Sequence, residues 1–213
     1  MNTEELVAHL VREARPVRRM PKRALLVPAL FGSSVLVALA GSATMGWRPD
    51  LAPRLEEGRF WLVTGLLLVV CAVGETMLTK LSVPTRWRFP FGLKVALALL
   101  ATLAGVLFSD APWLEISPWT RWLGVGLYCT GRAVVVGLLP FLGGLWLMRR
   151  GAPAFPRLSG AILGVVAIGL GAFALQWSCD LSEPAHVAIW HLALPGALAG
   201  AAGSWAGSRW LRW

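Results

Sequence analysis

Thirteen residues near the C-terminus, Cys179-Asp-Leu-Ser-Glu-Pro-Ala-His186-Val-Ala-Ile-Trp-His191, hold one of the chain's three cysteines, two of its three histidines and two carboxylates. Around them the sequence is mostly Leu, Val, Ala and Gly. A soft thiol and two imidazoles in such surroundings suit a sensor or a metal-ligand site. The competing reading is a polar loop whose histidines sit in the headgroup layer. Cys179, His186 and His191 are spaced i, i+7, i+12. The five-residue gap between the imidazoles is looser than the i, i+4 pair that puts two ligands on one face of an α-helix. Pro184 breaks any continuous helix between Cys179 and His186, which leaves the thiol free to fold back. These three residues are the metal-ligating candidates.

Other reactive groups lie in apolar stretches. Cys129 falls one to two turns inside a long apolar run, at the same membrane face as Cys179, and the two are candidates for a disulfide if their Cα atoms come within about 7 Å. Cys71, in mid-run, reads as a packing thiol. Glu75 and Arg132 are ionisable groups within spans, where each is costly unless paired or facing water. A Glu75–Arg132 bridge and a proton or solute path are both open, and Lys80 is another partner within reach of Glu75. No Ser-His-Asp order, phosphate-binding glycine loop or HExxH is present, so the chain reads as a non-enzyme.

The elements that position these groups are membrane spans. With 56% hydrophobic residues, 15% charged and a mean hydropathy of +0.64, the 213-residue chain carries more apolar surface than a soluble domain can hide. Six apolar runs, at about 24–46, 60–79, 90–108, 122–148, 157–177 and 187–210, each approach the roughly 20 residues that cross hydrocarbon. The expected fold is an all-α bundle of six transmembrane helices, with the fourth kinked near Pro140. Placing both termini inside puts fifteen Lys and Arg on the cytoplasmic side and four outside, with Arg132 in a span. The net charge of +9 is thus an orientation signal rather than a nucleic-acid surface. The Cys179 loop is then outside, where a metal ion is the one cofactor suggested. Gly160/Gly164, Gly196/Gly200 and Gly203/Gly207 form three GxxxG pairs, which predict close packing of the last two spans.

Residues 1–15 predict a short amphipathic helix, capped by Asn2 or Thr3 and stopped by Pro16. Leu6, Val7, Leu10, Val11 and Ala14 share one face, opposite Glu5, His9, Arg12 and Glu13. A helix this short is marginal alone in water, so its stripe requires a surface: lipid, its own bundle or another protein. The chain divides at residue 23 into this helix with its basic linker and a membrane domain, 24–213.

Several stretches together resemble a known family of small six-span bacterial membrane anti-sigma factors, the negative regulator of sigma F (NrsF-like) family. They are Glu5-Leu-Val-Ala-His-Leu with Arg15-Pro-Val-Arg, Arg48-Pro-Asp, Leu81-Ser-Val-Pro84, Leu147-Met-Arg-Arg-Gly-Ala-Pro153, Trp177-Ser-Cys-Asp through Ile189-Trp-His191, and the ending Arg209-Trp-Leu-Arg-Trp213. The resemblance implies residence in the bacterial inner membrane. It implies a cytoplasmic N-terminus that holds an extracytoplasmic-function sigma factor through Leu6, Val7, Leu10, Val11, Ala14, Pro16 and Val17. It further implies release by an outer-face metal or oxidant stress. Family cysteines match Cys129 and Cys179, whereas the adjacent cysteine or Cys-Pro of some relatives is missing here. The rival function is a membrane redox or transport protein, with His186 and His191 binding haem or copper and Glu75 and Arg132 lining a path.

Overall fold

The computed structural model describes residues 2–13, 23–82, 89–108, 119–181 and 183–212. Ala14, Pro16 and Val17, from the expected docking segment, lie outside them. The described chain is helical, without strands. A short helix α1 (Thr3–Glu13) precedes α2 (Arg23–Met45), α3 (Leu51–Leu55), α4 (Gly58–Leu81), α5 (Phe89–Phe108), α6 (Trp119–Met148) and α7 (Pro156–Ser178). A single turn, α8 (Pro184–His186), then runs through a π-helix (Val187–Ala193) into α9 (Leu194–Trp210). Among the described residues five helices are long and apolar enough to cross a membrane: α2, α4, α6, α7 and the run Pro184–Trp210. The expected span at 90–108 corresponds to α5, whose described apolar stretch, Lys94–Leu107, is shorter.

The α1 start is a reciprocal cap. The Glu5 amide donates to Asn2 Oδ1 at 2.8 Å, and the Asn2 amide donates to Glu5 Oε2 at 3.0 Å. That exchange satisfies amides that a helix N-terminus otherwise leaves open. Leu6, Val7 and Val11 stay exposed along its side.

Helix α7 is the hub, packed by α2, α4, α6 and α9. Leu170, Ala174 and Leu175 on it have essentially no exposed surface. The closest approach is α7 on α9, where Gly160 lies against the Gly203 carbonyl and Gly207 Cα, and Gly164 against the Ala199 carbonyl. Any side chain at these two glycines would strike backbone, which cannot step aside. The working stripe on α9 is therefore Ala199, Gly203 and Gly207. Gly196 has open space around it and Gly200 meets only a Val165 methyl at 3.4 Å. The Gly196/Gly200 pair thus does not serve the contact that its spacing predicts, because it falls one position out of register with the stripe.

Polar stitches hold the remaining helices. Ser42 Oγ donates to the Ala174 carbonyl at 2.9 Å, joining α2 to α7. Cys71 is buried against Val166 of α7, in the packing role expected of it. Two arginines donate to carbonyls at helix C-termini, where unsatisfied acceptors and the negative dipole end coincide. Arg59 Nη2 reaches Val106 and Leu107 of α5 at 3.2 Å each, and Arg132 Nη2 reaches Met45 of α2 at 2.7 Å. Trp47, Trp61 and Trp177, with Phe60 and Phe173, form an edge-to-face aromatic cluster at that same end of the bundle. Aromatic rings in this position match the interfacial belt of membrane proteins.

Candidate functional site

The short segment that ends α7 places Cys179 as its C-cap, with its amide on the Leu175 carbonyl at 2.8 Å. Pro184 then opens α8, so the chain reverses within five residues and brings His186 back over the thiol. Cys129 approaches from α6. Its sulfur lies 3.3 Å from that of Cys179, and His186 Nε2 lies 3.9 Å from Cys179 Sγ. With His191, these residues offer four ligand atoms within 4.8 Å of one another. None of the four side chains is more than 3% exposed. Both thiols are free.

The spacing of the histidines finds its explanation in the π-helix. In an α-helix, residues five apart point about 140° away from each other. An i→i+5 hydrogen-bond pattern instead stacks residue i+5 above residue i. His186 caps the π-helix and His191 lies within it. Their rings consequently meet edge to face, with centroids 5.1 Å apart. The widened turn is held by Thr130, whose hydroxyl donates to the Trp190 carbonyl at 2.8 Å. Gly126 leaves room for the Trp190 indole, which also packs edge-on against Trp122 with centroids 5.1 Å apart.

Arg48 is the residue that sequence reasoning left out of the site. Its guanidinium is buried, grips Asp50 at 2.6 and 2.8 Å, and donates to the carbonyls of Gln176 and Asp180 at 3.4 Å each. Its amide donates to the Trp177 carbonyl at 3.0 Å. It thereby ties the loop after α2 to both flanks of Cys179. The available sequence signal was the Arg48-Pro-Asp50 triplet, where an arginine two residues before an aspartate can grip it through both nitrogens.

Electrostatics divide the site in two. The Arg48 hydrogen bond, followed by that of Arg54, holds the Asp50 carboxyl below the usual carboxylate range. A depressed carboxylate contributes stability above its unfolded value of about 3.9 and loses it as pH falls through the lower folded value. The Asp50 carboxylate in this clasp is thus ionised throughout the neutral range. At Cys179, the hydrogen bond from the Cys129 thiol, and after it the imidazoles of His186 and His191, draws the thiol well below its ordinary pKa. Two sulfurs this close can form a disulfide with an oxidant, and two sulfurs with two imidazoles can enclose a metal.

Arg48→Ala is expected to loosen the loop. In detergent-solubilised protein, Cys179 should react with maleimide several-fold faster than in the wild type, read at that cysteine by peptide mass spectrometry. An unchanged rate would mean that Arg48 does not secure the Cys179 segment.

Glu75 and Arg132 do not meet. Arg132 caps α2 and lies over the Tyr128 ring at 5.2 Å. Glu75 is buried, with Oε2 unpartnered, beside a cavity of about 60 Å³ lined also by Leu30, Ser34, Thr79 and Ser82. Lys80 is exposed.

Comparison with known proteins bears on the whole chain. No solved structure matches it significantly. The "Anti-sigma-F factor NrsF" of Caulobacter vibrioides is 29% identical over 224 aligned positions that cover all of both chains. The family model described as Negative regulator of sigma F matches residues 10–213. That match takes in α2 to α9 and every residue of the thiol–imidazole cluster, and the chain belongs to the Negative regulator of sigma F family.

Proposed function

We propose that this chain is an anti-sigma factor of the bacterial inner membrane, which holds an extracytoplasmic-function sigma factor through its N-terminal segment and releases it on a metal or oxidant signal at the outer face. The observation that carries the reading is the exposed stripe of Leu6, Val7 and Val11 on α1. It precedes the end of α2 remote from the Cys129–Cys179 cluster. Such a stripe fits helix-in-groove recognition by a partner protein. Residues 1–23 serve as the docking segment and 24–213 as the membrane sensor. The membrane domain has six spans, with α5 as the third and both termini inside, which the fifteen-to-four distribution of Lys and Arg supports.

Co-purification tests the reading. The full chain in detergent should retain a sigma factor, and a chain lacking residues 1–13 should not. A reporter fused after Trp213 should read cytoplasmic, and one inserted at Glu115 external. Equal capture by both chains would remove α1 from the docking role, and an external C-terminus would overturn the six-span arrangement.

A further inference from the structure

We propose that Cys129, Cys179, His186 and His191 together form a tetrahedral site for one soft divalent ion of the zinc or cadmium class. The proposal rests on the outer-face sensing read above and gives it a ligand. Sequence spacing offered three donors, and α6 supplies the fourth through Cys129. Two sulfurs and two imidazoles are the donor set that tetrahedral d¹⁰ ions favour.

The distances are near those required. Metal–sulfur and metal–nitrogen bonds of about 2.3 and 2.0–2.1 Å give a tetrahedron with edges of roughly 3.3–3.8 Å. The two sulfurs already stand 3.3 Å apart, and the widest separation among the four ligand atoms is 4.8 Å. Side-chain rotations of about 1 Å close that gap, on the scale of the bond lengths themselves.

Burial points the same way. His186 Nδ1 and both nitrogens of His191 are enclosed without a hydrogen-bond partner. Buried polar atoms in folded proteins nearly always have partners, and an ion held by the His186 Nε2 that faces Cys179 would also give one nitrogen of His191 its partner. Charge also balances. A divalent ion with two thiolates and two neutral imidazoles has no net charge, the state least penalised away from water. Binding releases to solvent any proton that the two sulfurs carry and transfers no electrons. Because Cys129 sits on α6 and the other three follow α7, the ion would join α6 to the α7–α9 hairpin.

Cobalt(II) titration of the reduced, metal-stripped full chain in detergent tests the site. One cobalt per chain is expected, with thiolate-to-cobalt charge-transfer absorption and visible bands of tetrahedral intensity, all displaced by zinc or cadmium. Cys129→Ser, Cys179→Ser, His186→Gln and His191→Gln should each abolish the bands or weaken binding by at least about tenfold. Cys71→Ser should bind as the wild type does. Absence of cobalt bands from the well-folded wild type would overturn the site without reference to any variant. So would a spectrum that survives both histidine changes in protein still monodisperse by size exclusion. Sigma capture, measured on the same preparations, separates the two readings. Capture without cobalt binding refutes the metal site alone, and cobalt binding without capture refutes the anti-sigma reading alone.

Discussion

Leu6→Ala is expected to lower the affinity of the chain for its sigma factor by roughly 30- to 1,000-fold, the cost of truncating an interface anchor worth about 2–4 kcal/mol. Leu6 is 41% exposed in the unbound chain, so the substitution leaves no hole in the bundle. Loss of capture therefore reports on the partner surface rather than on folding. Leu10→Ala should act similarly, and cells carrying either variant should express the sigma regulon without stress. Arg12→Ala, on the opposite face, should matter far less. Binding measured with the full-length chain in detergent decides the matter. Undiminished capture by both leucine variants would leave lipid as the surface that the stripe meets.

Gly160→Leu is expected to prevent recovery of folded protein. A side chain there meets the Gly203 carbonyl and the Gly207 Cα, so two helix backbones would have to separate. Overpacking that flexible side chains can absorb costs about 1–3 kcal/mol, and a rigid neighbour raises that figure. Gly196→Leu is the control, since it points into open space and should change stability by no more than about 0.5 kcal/mol. Thermal unfolding followed by size exclusion in detergent compares the two. Similar behaviour of both would mean that α7 and α9 do not pack through Gly160.

Span positions were legible because hydropathy over about 20 residues reports directly on the solvent that a helix faces. The ends of α2, α4, α6 and α7 fall within three residues of the expected runs. The α7–α9 contact was legible as glycine spacing, but its register was not. Three GxxxG pairs are equivalent in sequence, and only the packed backbones distinguish Gly203 from Gly196. The reactive residues were legible by type. Their convergence was not, because spacing arguments assume 3.6 residues per turn and the π-helix departs from that between His186 and His191. Arg48 escaped notice for a different reason. Its contacts with Gln176, Trp177 and Asp180 join positions about 130 residues apart, which no local pattern encodes.

The stitches on α2 have a mechanical consequence. Ser42, the Met45 carbonyl and the Arg48 amide fasten one end of this helix, all near the thiol–imidazole cluster. Toward its other end, Leu30 and Ser34 border the cavity beside Glu75. A helix of 23 residues is about 34 Å long. Fastened at one tip, the helix would act as a lever with its fulcrum beside the cluster. A tilt of about 5° at the fulcrum carries the Arg23 tip roughly 3 Å, about the width of one side-chain contact. Displacements of a few tenths of an ångström among four buried ligand atoms would thus be magnified at the Arg23 tip.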